Sequence, residues 1–136
     1  MIPVDQEIMH DPDNKQYGDC WKACVASVLE LSLKDVPHFT DNFEEHSHDP
    51  IKEYLRFMVK HGFLVMSIQM PVGKNGLVSH PVLTDDEHPY YFIIGKSPRC
   101  SDDHICVGYQ QGLVHDPHPD KVGLDSISVF EIFFKL

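Results

Sequence analysis

Positive charge is scarce in this chain. Eleven Lys and Arg residues face twenty-one Asp and Glu across 136 residues, a formal charge of −10. Neutralising phosphates takes lysine and arginine, so the composition argues against a nucleic-acid partner. Long apolar runs are also missing. None approaches the ~18 residues of a membrane span, so no membrane partner is expected. The opening Met1-Ile2-Pro3-Val4-Asp5-Gln6-Glu7 has neither the basic nor the apolar region of an export signal, which predicts a cytoplasmic protein. There are four cysteines. In a reducing compartment these are more often free, metal-bound or catalytic than disulfide-bonded. No Cys-x-x-Cys knuckle, internal repeat, low-complexity tract or glycine-rich phosphate loop is present.

What is present suits a globular chain. The apolar fraction is 42% and the aromatic fraction 10%, ordinary for a folded core and unlike disorder. Residues 1–136 read as a single domain. Ten histidines, if all protonated below about pH 6, would cancel most of the negative charge. Helical signals come first. Trp21, Cys24, Val25, Val28, Leu29 and Leu31 follow helical spacing behind Gly18 and an N-cap Asp19. Ser32-Leu33-Lys34-Asp35 resembles a capping box opening a short helix that Pro37 ends. Asp49-Pro50 opens a helix over 50–61, with apolar Ile51, Tyr54, Leu55, Met58 and Val59 and a closing Gly62.

Strand signals follow. Residues 63–70, 90–95, 104–109, 113–115 and 126–134 are β-rich, with a hairpin turn at Gln110-Gln111-Gly112. Residues 71–76 read as a turn, 77–84 as strand or loop, and the acidic 41–49 as a surface loop. Helices before strands predict an α+β fold, with N-terminal helices packed on an antiparallel sheet.

Cys20 stands at the mouth of the first helix. Free N–H groups and the macrodipole there stabilise an anion, which lowers a thiol pKa and populates the nucleophilic thiolate. A thiolate catalyst needs a base, and the base an orienting partner. His104 begins one strand, and Asp116 ends the strand returning from the hairpin. Antiparallel pairing puts the start of one beside the end of the other. Cys24, one turn further along the apolar stripe, is the alternative nucleophile, and burial there raises its pKa. Cys106 reads as core and Cys100 as a loop residue. A zinc site drawing on these four thiols, or on His115 and His118, is a competing reading that lacks knuckle spacing. Arg99 either holds a substrate carboxylate or braces its loop.

Asp19-Cys20-Trp21-Lys22-Ala23-Cys24-Val25 resembles the Asp-Cys-Gly-x-Ala-Cys-Leu signature of the leader peptidases attached to bacteriocin exporters. His104 followed by Asp116-Pro117 resembles the other half of that signature. The chain is similar to small papain-like proteins of bacteria and their phages across residues 14–38 and 97–120. Trp21 replaces a glycine of the leader peptidases. The resemblance implies a papain-like fold and a Cys20–His104–Asp116 triad. It also implies an oxyanion donor ahead of the cysteine, Gln16 or alternatively Asn14. The expected activity is that of a cysteine peptidase-like hydrolase acting on a peptide or protein amide bond, with no cofactor. Two alternatives share the fold: a non-catalytic binding module, and a thiol acyltransferase or deamidase.

Overall fold

A computed structural model describes residues 1–41, 48–70 and 86–136. The expected turn at 71–76, the strand or loop at 77–84 and most of the acidic loop lie outside the described residues.

The first helix, α1, spans Cys20–Leu29. Ala23 to Val28 are all buried, so this helix is enclosed rather than laid on the surface by one face. Part of its cover is the N-terminal segment, where Ile2 N–H donates to the Ser27 carbonyl at 3.1 Å and Val4 N–H to Ser27 Oγ at 2.9 Å. Glu30 ends the helix in the left-handed region at φ 58°, its N–H turned back onto the Ala26 and Ser27 carbonyls.

Asp19 departs from expectation. Its side chain makes no capping bond to α1. It is buried, and Oδ1 accepts from Glu7 N–H at 3.1 Å and Ile8 N–H at 2.8 Å. Two donors on the incoming chain compete for the carboxylate and win, because the N-terminal segment bends at Glu7 and Ile8 and presents both N–H groups to it. Ser32 likewise does not cap. Leu33–Asp35 is one 3-10 turn that returns to extended backbone at Val36, ahead of Pro37.

The second helix, α2, spans Pro50–Lys60 and begins as its sequence predicts, with the Asp49 carboxylate accepting from Lys52 N–H at 3.0 Å. Gly62 follows at φ +88°, a conformation in which its missing Cβ matters. The buried face is narrower than the apolar spacing suggests. Tyr54 and Met58 are fully buried, whereas Ile51, Leu55 and Val59 are 62%, 40% and 50% exposed. The helix packs against one strand of the sheet, and a helix at an edge buries only one stripe.

Among the described residues five strands follow: β1 Phe63–Gln69, β2 Tyr90–Lys96, β3 Asp103–Tyr109, β4 Gly112–His115 and β5 Ser126–Lys135. They form one antiparallel sheet in the order β1-β5-β2-β3-β4. The α+β class is therefore as expected: among the described residues, two α-helices pack against a five-stranded antiparallel sheet. One apolar cluster joins α1, α2 and the sheet through Cys24, Val25, Phe39, Tyr54, Phe92, Val107 and Phe133. Another gathers Tyr91, Ile93, Phe130 and Ile132, alternate residues that point from β2 and β5 the other way. No helix among the described residues is long and apolar enough to cross a membrane.

The β3–β4 hairpin positions the site. Its turn is Gln110-Gln111. Gln110 takes the left-handed conformation at φ 52°, and Gly112 is already paired with Tyr109 as the first residue of β4. β4 pairs with Val107, Gly108 and Tyr109 only. The edge of β3 nearer its start is thus left to another partner, and α1 takes it: the Cys24 thiol donates to the Ile105 carbonyl at 3.4 Å.

Candidate active site

Alternation along β3 puts His104 and Cys106 on one face of the strand. β4 ends at His115, so the chain leaves the hairpin at Asp116, alongside them. His104 Nε2 and Asp116 Oδ1 are 2.7 Å apart, and both side chains are almost wholly buried. Asp116 is held by its own loop. Oδ1 also accepts from His118 N–H at 2.9 Å, and Oδ2 from Gly123 N–H at 2.8 Å. Gly123, at φ +77°, bends the loop back so that this N–H reaches the carboxylate.

The electrostatics follow from that cradle. Burial alone would raise the Asp116 pKa, but the His104 hydrogen bond, the two backbone N–H groups and the His104 charge outweigh it and hold the carboxyl well below the usual range. For His104, burial works to lower the pKa. The hydrogen bond to Asp116 outweighs it, helped by Cys106 and then by the hydrogen bond and charge of Cys20, and the pKa is pushed up to about 11. The imidazole is thus a cation held between a carboxylate and thiols.

Three cysteines meet this region, and their environments separate them. Cys24 is fully buried, and desolvation raises its pKa well above the ordinary thiol value, with further increments from Cys20, Cys106 and Asp116. Cys106 is fully buried too. Its pKa is raised by desolvation, which the hydrogen bond and charge of His104 only partly oppose. Cys20 is the half-buried member, at the first residue of α1. It lies close enough to the His104 ring to act on it both as hydrogen-bond partner and as charge. With Nε2 engaged by Asp116, Nδ1 is the ring nitrogen left for a second partner.

The other expected residues have hydrogen-bond partners of their own. Gln16 is exposed, and its Nε2 donates to the Met9 carbonyl at 2.7 Å. Asn14 is exposed and donates to Asp11 Oδ2 at 2.6 Å. Arg99 braces its loop through Asp120 Oδ1 at 2.8 Å. The groups of the competing zinc reading divide: Cys20, Cys24 and Cys106 gather at the His104 region, where the donor atoms of His104, Cys106 and Asp116 lie within 4.8 Å of one another, whereas Cys100 sits with His10 and Asp102, His115 contacts the Val4 carbonyl at 2.8 Å, and His118 lies against Asp120.

Cys106, expected in the core, is buried there, and strand alternation also sets it on the same face as His104. Gln6, near the site, was not anticipated. Its N–H donates to the Pro117 carbonyl at 2.9 Å, next to Asp116, while Ile8, two residues on, is fastened to Asp19, next to Cys20. The Gln6 side chain is buried, with Nε2 donating to the Ile8 carbonyl at 2.8 Å. No local pattern marked it, since its place depends on the N-terminal segment running between α1 and the loop after β4. Compared with known protein families, curated proteins and solved structures, the chain matches none.

Proposed function

We propose that this chain is a small papain-like thiol hydrolase that cleaves an amide bond in a peptide or protein substrate. The observation that carries the reading is the buried His104–Asp116 pair with the half-buried Cys20 thiol beside the same ring. His104, charged in its pair with Asp116, already holds the proton that the Cys20 thiol gives up. The sulfur attacks the substrate carbonyl carbon, and the oxyanion that forms is met by backbone N–H groups at the start of α1. His104 then protonates the leaving amine, and the thioester is hydrolysed by a water that His104 deprotonates. Asp116 keeps the ring oriented and stabilises its charged form. An amide donor to the oxyanion comes from Gln16 or Asn14, or from Gln6, which lies between the segments that carry Cys20 and Asp116. Acyl transfer and deamidation use the same three groups and differ in the acceptor or in the amide attacked.

A non-catalytic binding module is the second reading. It is favoured by one observation: the Gln16 amide is occupied by the Met9 carbonyl. Alkylation kinetics separate the two. Cys20 is expected to react with iodoacetamide near pH 6 faster than Cys24 and Cys100, and to slow at least ~10-fold in His104→Ala. Cys20 reactivity indifferent to His104→Ala would favour the binding module.

A further inference from the structure

A second side-chain cluster lies apart from the triad. His10, Cys100 and Asp102 each bring one donor atom to a common point, and the three atoms lie within 4.8 Å of one another. His10 Nε2 is 2.6 Å from Asp102 Oδ2, with a quarter of the histidine side chain and about half of the aspartate exposed. Cys100 is half-buried. The donors are imidazole nitrogen, thiol sulfur and carboxylate oxygen, and the open side leaves room for a water.

Both loops that carry them are braced. The His10 segment continues into a small hairpin, where Asp11 and Gln16 exchange backbone hydrogen bonds at 2.8 and 2.9 Å. The ring stacks near Tyr17, with centroids 5.8 Å apart. The loop over 97–102 is closed by Ser97 N–H donating to the Asp102 carbonyl at 3.1 Å, and by Arg99 through Asp120. Ligands held on braced backbone need little rearrangement to converge on an ion.

We propose that His10, Cys100 and Asp102 form a Zn²⁺ site with three protein ligands and a water in the fourth position. Thiolate with imidazole is a donor pair that favours zinc over calcium or magnesium, and one carboxylate completes a common zinc set. Gly18 N–H points at His10 Nδ1 at 3.3 Å, so the ring proton sits on Nε2, shared with Asp102. Zn²⁺ takes Nε2, that proton moves to Nδ1, and the long Gly18 contact is lost. Cys100 releases its proton to solvent, so one proton leaves per ion bound. The site would fasten the segment leading into α1 to the loop leading into β3. Those segments carry Cys20 and His104, but the proposal stands whether or not Cys20 is a nucleophile.

The test uses the full chain stripped with a chelator and then titrated with Co²⁺ or Zn²⁺ alone. Co²⁺ should give tetrahedral d–d bands and a thiolate charge-transfer band that vanishes in Cys100→Ser and persists in Cys20→Ser and Cys106→Ser. Zn²⁺ affinity, read by competition with a chromophoric chelator, should fall at least ~100-fold in His10→Ala and in Asp102→Asn. These positions are partly exposed, and each variant is to be checked for folding by circular dichroism before titration. A charge-transfer band that survives Cys100→Ser, or is lost in Cys20→Ser or Cys106→Ser, would place the metal at the triad and overturn the proposal. So would a spectrum without a thiolate band.

Discussion

His104 and Asp116 stand twelve positions apart in the chain and 2.7 Å apart in the fold. The hairpin between them explains how. β3 and β4 pair across a register shift between Val107 and Gly108 as far as Val107 and His115, after which β4 stops and Asp116 turns toward the start of β3. A carboxylate placed there accepts from one side of the imidazole and fixes which nitrogen faces away from it. The thiol at the start of α1 meets that ring because α1 occupies the strand edge that β4 leaves unpaired.

Replacing Asp116 by asparagine tests that relationship. The carboxylate has only acceptors, and the pair satisfies three N–H donors: His104, His118 and Gly123. An asparagine oxygen can serve His104 and His118, but its NH₂ then opposes the Gly123 N–H. Asp116→Asn should therefore lose ~2–4 kcal/mol of stability in a denaturant titration, the consequence of an unpaired buried donor and a lost charge pair. Any amidase turnover should drop ~100-fold or more, since the ring loses its orienting charge. Unchanged turnover with an unchanged unfolding midpoint would remove Asp116 from the site.

Asp19 predicts a different failure. Its carboxylate does not cap α1 but fastens residues 7 and 8 of the incoming segment. Asp19→Ala should leave two part-buried backbone N–H groups without their carboxylate partner, at a cost of ~1–3 kcal/mol. The loss should be local first. Hydrogen exchange is expected to quicken at Glu7 and Ile8 before it does in β2 or β5, because the N-terminal segment can open without the sheet. Uniform protection loss across the sheet would contradict that order.

Glu131 gives the pH dependence. It lies in β5 and accepts from Tyr54 Oη at 2.8 Å and Ser67 Oγ at 3.4 Å. Burial raises its pKa more than those two hydrogen bonds lower it. A carboxyl whose folded pKa exceeds its unfolded one is more costly to fold once ionised. Stability from this group is therefore fully present below the ordinary glutamate range and lost as pH rises through the raised folded value. Glu131→Gln keeps an acceptor for Tyr54 and cannot ionise. The melting temperature of the variant minus that of the parent should be more positive at about pH 8 than at about pH 4, by several degrees for ~1 kcal/mol. The same difference at both ends would show that the ionised carboxylate carries no penalty.

The sequence made some of this legible because the cause was local. Asp49-Pro50 and Gly62 bracket α2 through chemistry that neighbours supply, and the β3–β4 hairpin set His104 beside Asp116 by counting along two arms. Other features depended on chain brought in from a distance. Asp19 looks like an N-cap until Glu7 and Ile8 arrive to take its oxygen. Gln110 rather than Gly112 bends the hairpin, because Gly112 is already paired in β4. Ile51, Leu55 and Val59 have helical apolar spacing but stay exposed, since only one side of α2 meets the sheet. Gln6 carried no signal, for its position is set by Pro117 at the far end of the chain.

Gly95 sits opposite His104 in the β2–β3 register and at the irregularity where β2 meets β5. A Cβ built there would lie 1.8 Å from the Ser126 carbonyl oxygen and 2.8 Å from its carbon. Both are backbone atoms, so no rotamer change relieves the clash; β5 itself must move. Gly95→Ala is expected to destabilise by ~2–4 kcal/mol, at the upper end for an overpacked position. Because the displaced register also carries His104, Cys20 alkylation should slow in the folded variant. Gly112 is the control: a Cβ there has nothing within 4 Å, and Gly112→Ala should stay within ~0.5 kcal/mol of the parent. Equal unfolding midpoints for the two variants would mean that β5 yields freely at Ser126, and that the close approach of β2 to β5 does not hold His104 in place.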